Sequence, residues 1–158
     1  MNVFSTDKYN SYLYLPQGYS ADSGVIWPVI VFLHGFSEAG TDKGGLPALI
    51  EGGKNYPFII VMPQSTANWK SPESIEAMHE HILALMNQYA ADPDRLFLTG
   101  FSMGGDGTWA LAAAHPELFA AIAPVSSFGL SGNTDVLKNT PVWIFHGDAD
   151  TVVPVSDG

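Results

Sequence analysis

Apolar residues along the chain fall into short runs broken by polar, Gly and Pro positions, and one longer stretch has helical spacing. Between Tyr9 and Pro16, Tyr12 and Tyr14 alternate with Leu13 and Leu15, the period of an outer strand with one solvated face. The runs Val29–Leu33, Phe58–Met62, Leu96–Leu98, Ala121–Ala123 and Val142–Phe145 are continuous instead. Short unalternating runs of this kind predict strands buried on both faces, as in a parallel sheet. Ile75, Met78, Ile82, Leu85, Met86 and Tyr89 recur every three or four residues and predict an amphipathic helix. Ser71 suits its N-cap, Pro72 its first position and Glu73 the positive end of its dipole. Asp92-Pro93-Asp94 predicts a turn after it. A second helix is expected from about Met103 to His115, where Pro116 stops it, and a short one over Leu46–Ile50 between Gly-Gly pairs. Strands alternating with helices predict an α/β fold, a three-layer αβα sandwich around a mostly parallel sheet.

Composition narrows the picture. At 158 residues and 17.0 kDa, with 46% hydrophobic residues, the chain can bury a core as one domain over residues 1–158. A net charge of −10 repels phosphate backbones and anionic headgroups, which argues against nucleic-acid and membrane partners. No apolar run approaches the ~20 residues that span a bilayer. The N-terminus lacks the basic-then-apolar order of a signal peptide, so the compartment stays open between cytoplasm and secretion with the signal removed. Without cysteine there is no disulfide, thiol nucleophile or thiolate metal site.

In a parallel sheet the reactive groups collect at the carboxyl ends of strands, and the motifs fall there. Gly100-Phe101-Ser102-Met103-Gly104 follows one strand run and precedes a helix. It has the form of a nucleophile elbow, with Ser102 lifted above the sheet and the Met103 N–H aimed at a developing oxyanion. Glycines flank the serine because side chains there would collide with the strand and the helix. His34-Gly35-Phe36 ends an earlier strand, where the Phe36 N–H would be the second oxyanion donor and His34 a buried brace for the loop. After the last apolar run comes His146-Gly147-Asp148-Ala149-Asp150. A carboxylate there can orient a catalytic histidine, and Asp150 is favoured over Asp148 by its place before Thr151-Val152-Val153-Pro154.

These segments resemble the α/β-hydrolases of the phospholipase/carboxylesterase and feruloyl-esterase-like group, whose relatives include esterases once described as predicted peptidases. The resemblance rests on residues 33–36, 61–64, 92–105, 107–109, 115–126 and 146–150, in the family's order. It implies Ser102 as nucleophile, Phe36 and Met103 as oxyanion hole, Asp150 as triad acid and no cofactor or metal. It also places Trp69 where the family often has a pocket aromatic; packing within its loop is the other reading of that residue. A small-molecule ester is the implied substrate. A non-catalytic binding module and a peptidase on the same fold are the alternatives.

One departure stands out. The triad order is Ser, acid, His, and Thr151–Gly158 contain no histidine. His79 and His81, two apart on one helix, point to different faces and make a poor metal pair. His115 suits a helix C-terminus, and His146 is too close in sequence to Asp150 to reach over Ser102. The fold is therefore expected to stop after the strand that carries the triad acid, leaving that strand as an open sheet edge. Dimerisation or a complementing C-terminal fragment at this edge is the expected consequence, and light scattering showing a well-dispersed monomer would count against it.

Overall fold

The computed structural model describes residues 1–36 and 45–158. Six strands form one sheet: β1 (Asn2–Ser5), β2 (Asn10–Tyr14), β3 (Trp27–Leu33), β4 (Ile59–Gln64), β5 (Ala91–Phe101) and β6 (Ala121–Val125). Their spatial order is β1-β2-β4-β3-β5-β6. The β1–β2 and β2–β4 pairs are antiparallel, and β4, β3, β5 and β6 run parallel. Between them lie α1 (Gly45–Glu51), α2 (Pro72–Gln88) and α3 (Met103–Ala114). Crossovers from β4 to β5 and from β5 to β6 run in one direction along the sheet, and that from β3 to β4 runs in the other. α2 and α3 pack against each other and both contact β5, so they share one face of the sheet; the right-handed crossover rule assigns α1 to the other, the three-layer arrangement expected.

The parallel strands are apolar because both faces are covered. Val29, Val31, Leu33, Ile59, Ile60, Val61, Leu96, Leu98 and Ile122 are all nearly or wholly buried. Onto them α2 lays Met78, Ile82 and Leu85. Its start is as its sequence demands: the Ser71 hydroxyl accepts the Ser74 N–H at 3.1 Å, and Pro72 opens the helix. Of the glycines expected to bound α1, Gly44 lies outside the described residues.

Three expectations change. Asp92-Pro93-Asp94 does not lie outside regular structure but within β5, at an irregularity where Trp27 faces Ala91 and Val29 faces Leu96. The turn chemistry is nonetheless present, since Asp92 Oδ1 accepts the Asp94 N–H at 2.9 Å and its Oδ2 accepts Arg95 Nε at 2.6 Å. The Arg95 hydrogen bond holds the Asp92 carboxyl below the usual carboxylate range. Val142–Phe145 forms no continuous strand; it touches β6 through two parallel bridges, Ile122 to Val142 and Val125 to Phe145. Its side chains are uncovered, with Trp143 71% exposed. Lastly, β2 is not the outermost strand, because β1 pairs along its far side.

The β1–β2 pair is tied to α2 by a buried histidine. His81 is fully buried, with Nε2 2.6 Å from Ser11 Oγ and Nδ1 2.8 Å from Thr6 Oγ1. Burial pushes its imidazole down to about 4 from the ordinary 6.5. The unfolded chain therefore binds the proton first, so this contribution is complete above pH 6.5 and is lost as pH falls towards 4. Its size is on the order of 3 kcal/mol. Urea midpoints at pH 7.5 and 4.5 should differ accordingly, and His81→Gln should flatten that difference.

Candidate active site

The strands β3 and β5 are neighbours whose outgoing connections leave in opposite directions, the first to β4 and the second to β6. This is a topological switch point, where the two loops splay apart and leave a crevice at the strands' carboxyl ends. The loop after β3 carries Phe36, and the turn after β5 carries Ser102.

Ser102 has φ 53° and ψ −117°, a conformation that L-residues rarely hold. The tight turn is locked by the Ser102 N–H donating to Val125 O at 2.9 Å and by the Asp106 N–H closing the first turn of α3 on Ser102 O at 3.0 Å. The glycines are there for space. A Cβ on Gly104 would run into the carbonyl of Leu33, and one on Gly100 into the carbonyl of Gly104. Gly35 faces the same turn, its missing Cβ 3.2 Å from the Phe101 ring and 3.5 Å from Ser102 Cβ. Met103 begins α3, so its N–H belongs to the first turn, which lacks intrahelical acceptors.

Phe36, Phe101, Ser102, Ser126, Asp150, Val152 and Val153 line a cleft of about 360 Å³. Ser102, Phe36 and Asp150 thus meet in one place, while Asp148 sits exposed in the preceding turn. Asp150 is well held: its Oδ1 accepts the N–H groups of Val152 at 2.9 Å and Val153 at 3.0 Å. The Val153 and Val152 amides, with nearby His146, lower its pKa from the ordinary value. His146 lies behind it, Nε2 3.7 Å from Asp150 Oδ2 and donating to Val153 O at 2.8 Å. No histidine is among the residues that line the cleft. A larger hollow of about 620 Å³ opens beside β2, but its lining includes neither a carboxylate nor a histidine.

Trp69 requires a correction. It is 2% exposed, absent from the cleft, and wedged against α3 where a Cβ on Gly107 would strike it. Its Nε1–H donates to His34 O at 3.0 Å, so it packs its loop rather than the pocket. His34 is the buried brace expected: Nδ1 lies 2.8 Å from Gly35 O, and Nε2 accepts the Ser65 N–H at 3.1 Å. Two residues of the site were missed from sequence. Ser126 lines the cleft with φ 46°, announced only by its place just after a strand. Asp106, in the first turn of α3, accepts Phe128 N–H at 3.0 Å and Lys70 Nζ at 3.1 Å, pinning the loop beyond Ser126.

A strained serine on a strand-to-helix turn at the switch point of a mixed sheet, sharing its cleft with a held carboxylate, defines an α/β-hydrolase. The chain belongs to the esterase family: residues 5–150 match the family described as "Putative esterase". It is 28% identical over 130 residues to poly(3-hydroxyalkanoate) depolymerase C of Paucimonas lemoignei, covering 72% of this chain and 30% of that one. It is 42% identical over 108 residues to cutinase 2 of Thermobifida cellulosilytica, covering 64% and 40%. A thermostable esterase of known structure superposes with TM-score 0.79 at 28% identity, covering 99% of this chain and 48% of that one. An acetyl xylan esterase from Aspergillus awamori shares the fold at TM-score 0.71 and 20% identity, covering 94% and 70%. The chain spans well under half the length of the two curated relatives. Among the described residues no helix is long and apolar enough to cross a membrane.

The elbow yields two opposed expectations for thermal melts. Ser102→Gly relieves a positive φ worth roughly 1–3 kcal/mol, less the entropy glycine brings, and should raise Tm by about 2–4 °C. Gly104→Ala forces backbone apart and should lower Tm by far more than that gain, or prevent folding.

Proposed function

We propose that this chain is the nucleophile-bearing part of a serine carboxylic-ester hydrolase. The observation that carries the reading is the strained Ser102 meeting Asp150 and Phe36 in one cleft. Ser102 Oγ attacks the ester carbonyl, and the oxygen that becomes negative lies between the Phe36 and Met103 N–H groups. The alcohol leaves, an acyl-serine remains, and water releases the acid. The apolar faces of Phe36, Phe101 and Val152 around the nucleophile favour a small ester with an apolar acyl or alcohol part.

The proton must pass through an imidazole, and none of the five histidines is placed for it. In this reading the histidine comes from outside residues 1–158, in a further segment or a second chain, and Asp150 Oδ2 receives its Nδ1–H. Loss of that base costs on the order of 10⁶ in turnover, against a residual ~10³–10⁴ over water from the oxyanion hole and binding.

The 158-residue chain should therefore turn over p-nitrophenyl acetate slowly. Free imidazole should raise its rate above the buffer-plus-imidazole background, and Ser102→Ala should return it to that background. Rates indifferent to Ser102 would instead mark a binding module on a hydrolase fold. The anilide analogue should stay unreacted, since its leaving amine needs the positioned acid that is absent; cleavage would favour a peptidase.

A further inference from the structure

On the helical face of the sheet, away from the cleft, three side chains meet with no part in the chemistry above. Glu76 and His79 stand one turn apart on α2, and His115 caps the C-terminus of α3. Their donor atoms, one carboxylate oxygen and two imidazole nitrogens, all lie within 4.8 Å of one another. The imidazole rings stack, with centroids 3.9 Å apart and planes at 21°. His115 Nε2 is buried without a hydrogen-bond partner, and Glu76 Oε1 lies 3.5 Å from it. A buried polar nitrogen left in that state is costly unless something else engages it.

We propose that Glu76, His79 and His115 bind a divalent transition-metal ion of the zinc type, joining α2 to the far end of the helix that begins at Ser102. The donor set chooses the ion. Two imidazoles and one carboxylate suit Zn²⁺, Co²⁺, Ni²⁺ or Cu²⁺, whereas Ca²⁺ and Mg²⁺ prefer all-oxygen shells. Three protein ligands leave a fourth position for water. Tetrahedral bonds of about 2.0–2.1 Å place ligand atoms about 3.4 Å apart, so the cluster closes by roughly one ångström or a little more on the ion. Glu76 is exposed, and the three donor atoms already lie within 4.8 Å of one another, so the closure asked of the site is small. A carboxylate ligand and a chain of net charge −10 favour the cation's arrival. The expectation from sequence weighed only His79 against His81, and His81 turns into the core towards Ser11 and Thr6. The second imidazole comes instead from a residue 36 positions further along the chain.

The test is titration of the untagged 158-residue chain with Zn²⁺ alone by calorimetry, and with Co²⁺ alone by visible absorption. One equivalent is expected to bind, with Mg²⁺ inert and a rise in Tm on the order of 5 °C at saturating zinc. Loss of a group that merely supports a ligand costs roughly 10–100-fold, so His79→Asn and His115→Asn should each weaken binding by more than that. Glu76→Gln should weaken it as well, and Glu80→Gln, on the same helix, should leave it unchanged. The half-exposed His79 keeps the test available should His115→Asn fold poorly. Absence of zinc binding at millimolar metal, or affinity unchanged in His79→Asn, would overturn the proposal.

Discussion

The structure hangs on one backbone-to-backbone contact, the passage of the first turn of α3 across the end of β3. The carbonyls of Leu33 and His34 occupy the space where a side chain at 104 would be, and the carbonyl of Gly104 occupies that of a side chain at 100. The helix can therefore begin directly on top of the sheet instead of beside it. Three consequences follow from the same approach. Ser102 is driven to positive φ, the start of α3 points into the crevice, and the loop after β3 is brought against the elbow, where Gly35 meets Phe101 and Ser102. Ser102 and the start of α3, the nucleophile and one oxyanion donor of the proposed reaction, are thus positioned by the packing that builds the core.

A contact this close leaves little freedom for the neighbouring loops, and polar groups hold them, the most buried being His34 and Trp69. His34 accepts from Ser65 on one side, and its carbonyl accepts from Trp69 on the other, which ties the loop after β3 to the loop after β4. Asp106 does the same for the loop after β6 through the Phe128 N–H. Each of these bonds contributes only about 1 kcal/mol net, but an orphaned partner in a dry site costs roughly 1–3 kcal/mol. The network therefore penalises displacement more than it rewards formation. That asymmetry is what the proposed oxyanion site would require, because its donors must not relax when charge develops.

What was legible in the sequence was local. The cap, proline and apolar stripe of α2 lie within one segment, and the elbow declares itself in five residues because glycine alone tolerates the approach. The parallel strands were visible as unbroken apolar runs. What was not legible depends on partners distant in the chain. β1 is too short and too polar to stand out, and it exists because β2 offers it an edge. For Trp69 the family resemblance left a pocket role and loop packing both open, and the space above Gly107 is what explains its burial. Val142–Phe145 has the composition of a strand, but two isolated bridges to β6 do not make one. The meeting of Glu76 and His79 with His115 is likewise a property of how α2 and α3 pack, invisible to spacing on either helix.

The carboxylate of Asp150 shows how far the site is prepared. Two backbone N–H groups take Oδ1 and keep the side chain ionised, which leaves Oδ2 as the oxygen with capacity to orient an imidazole. The nearest imidazole, His146, already has its Nε2–H committed to Val153 O and approaches Oδ2 only to 3.7 Å. It does not line the cleft where a base would need to stand. An acid that is oriented, ionised and half-spent is therefore built into residues 146–153 independently of any base. A histidine reaching this cleft would meet a carboxylate already shaped to receive it, and the ordering cost of that encounter would fall on the incoming segment alone.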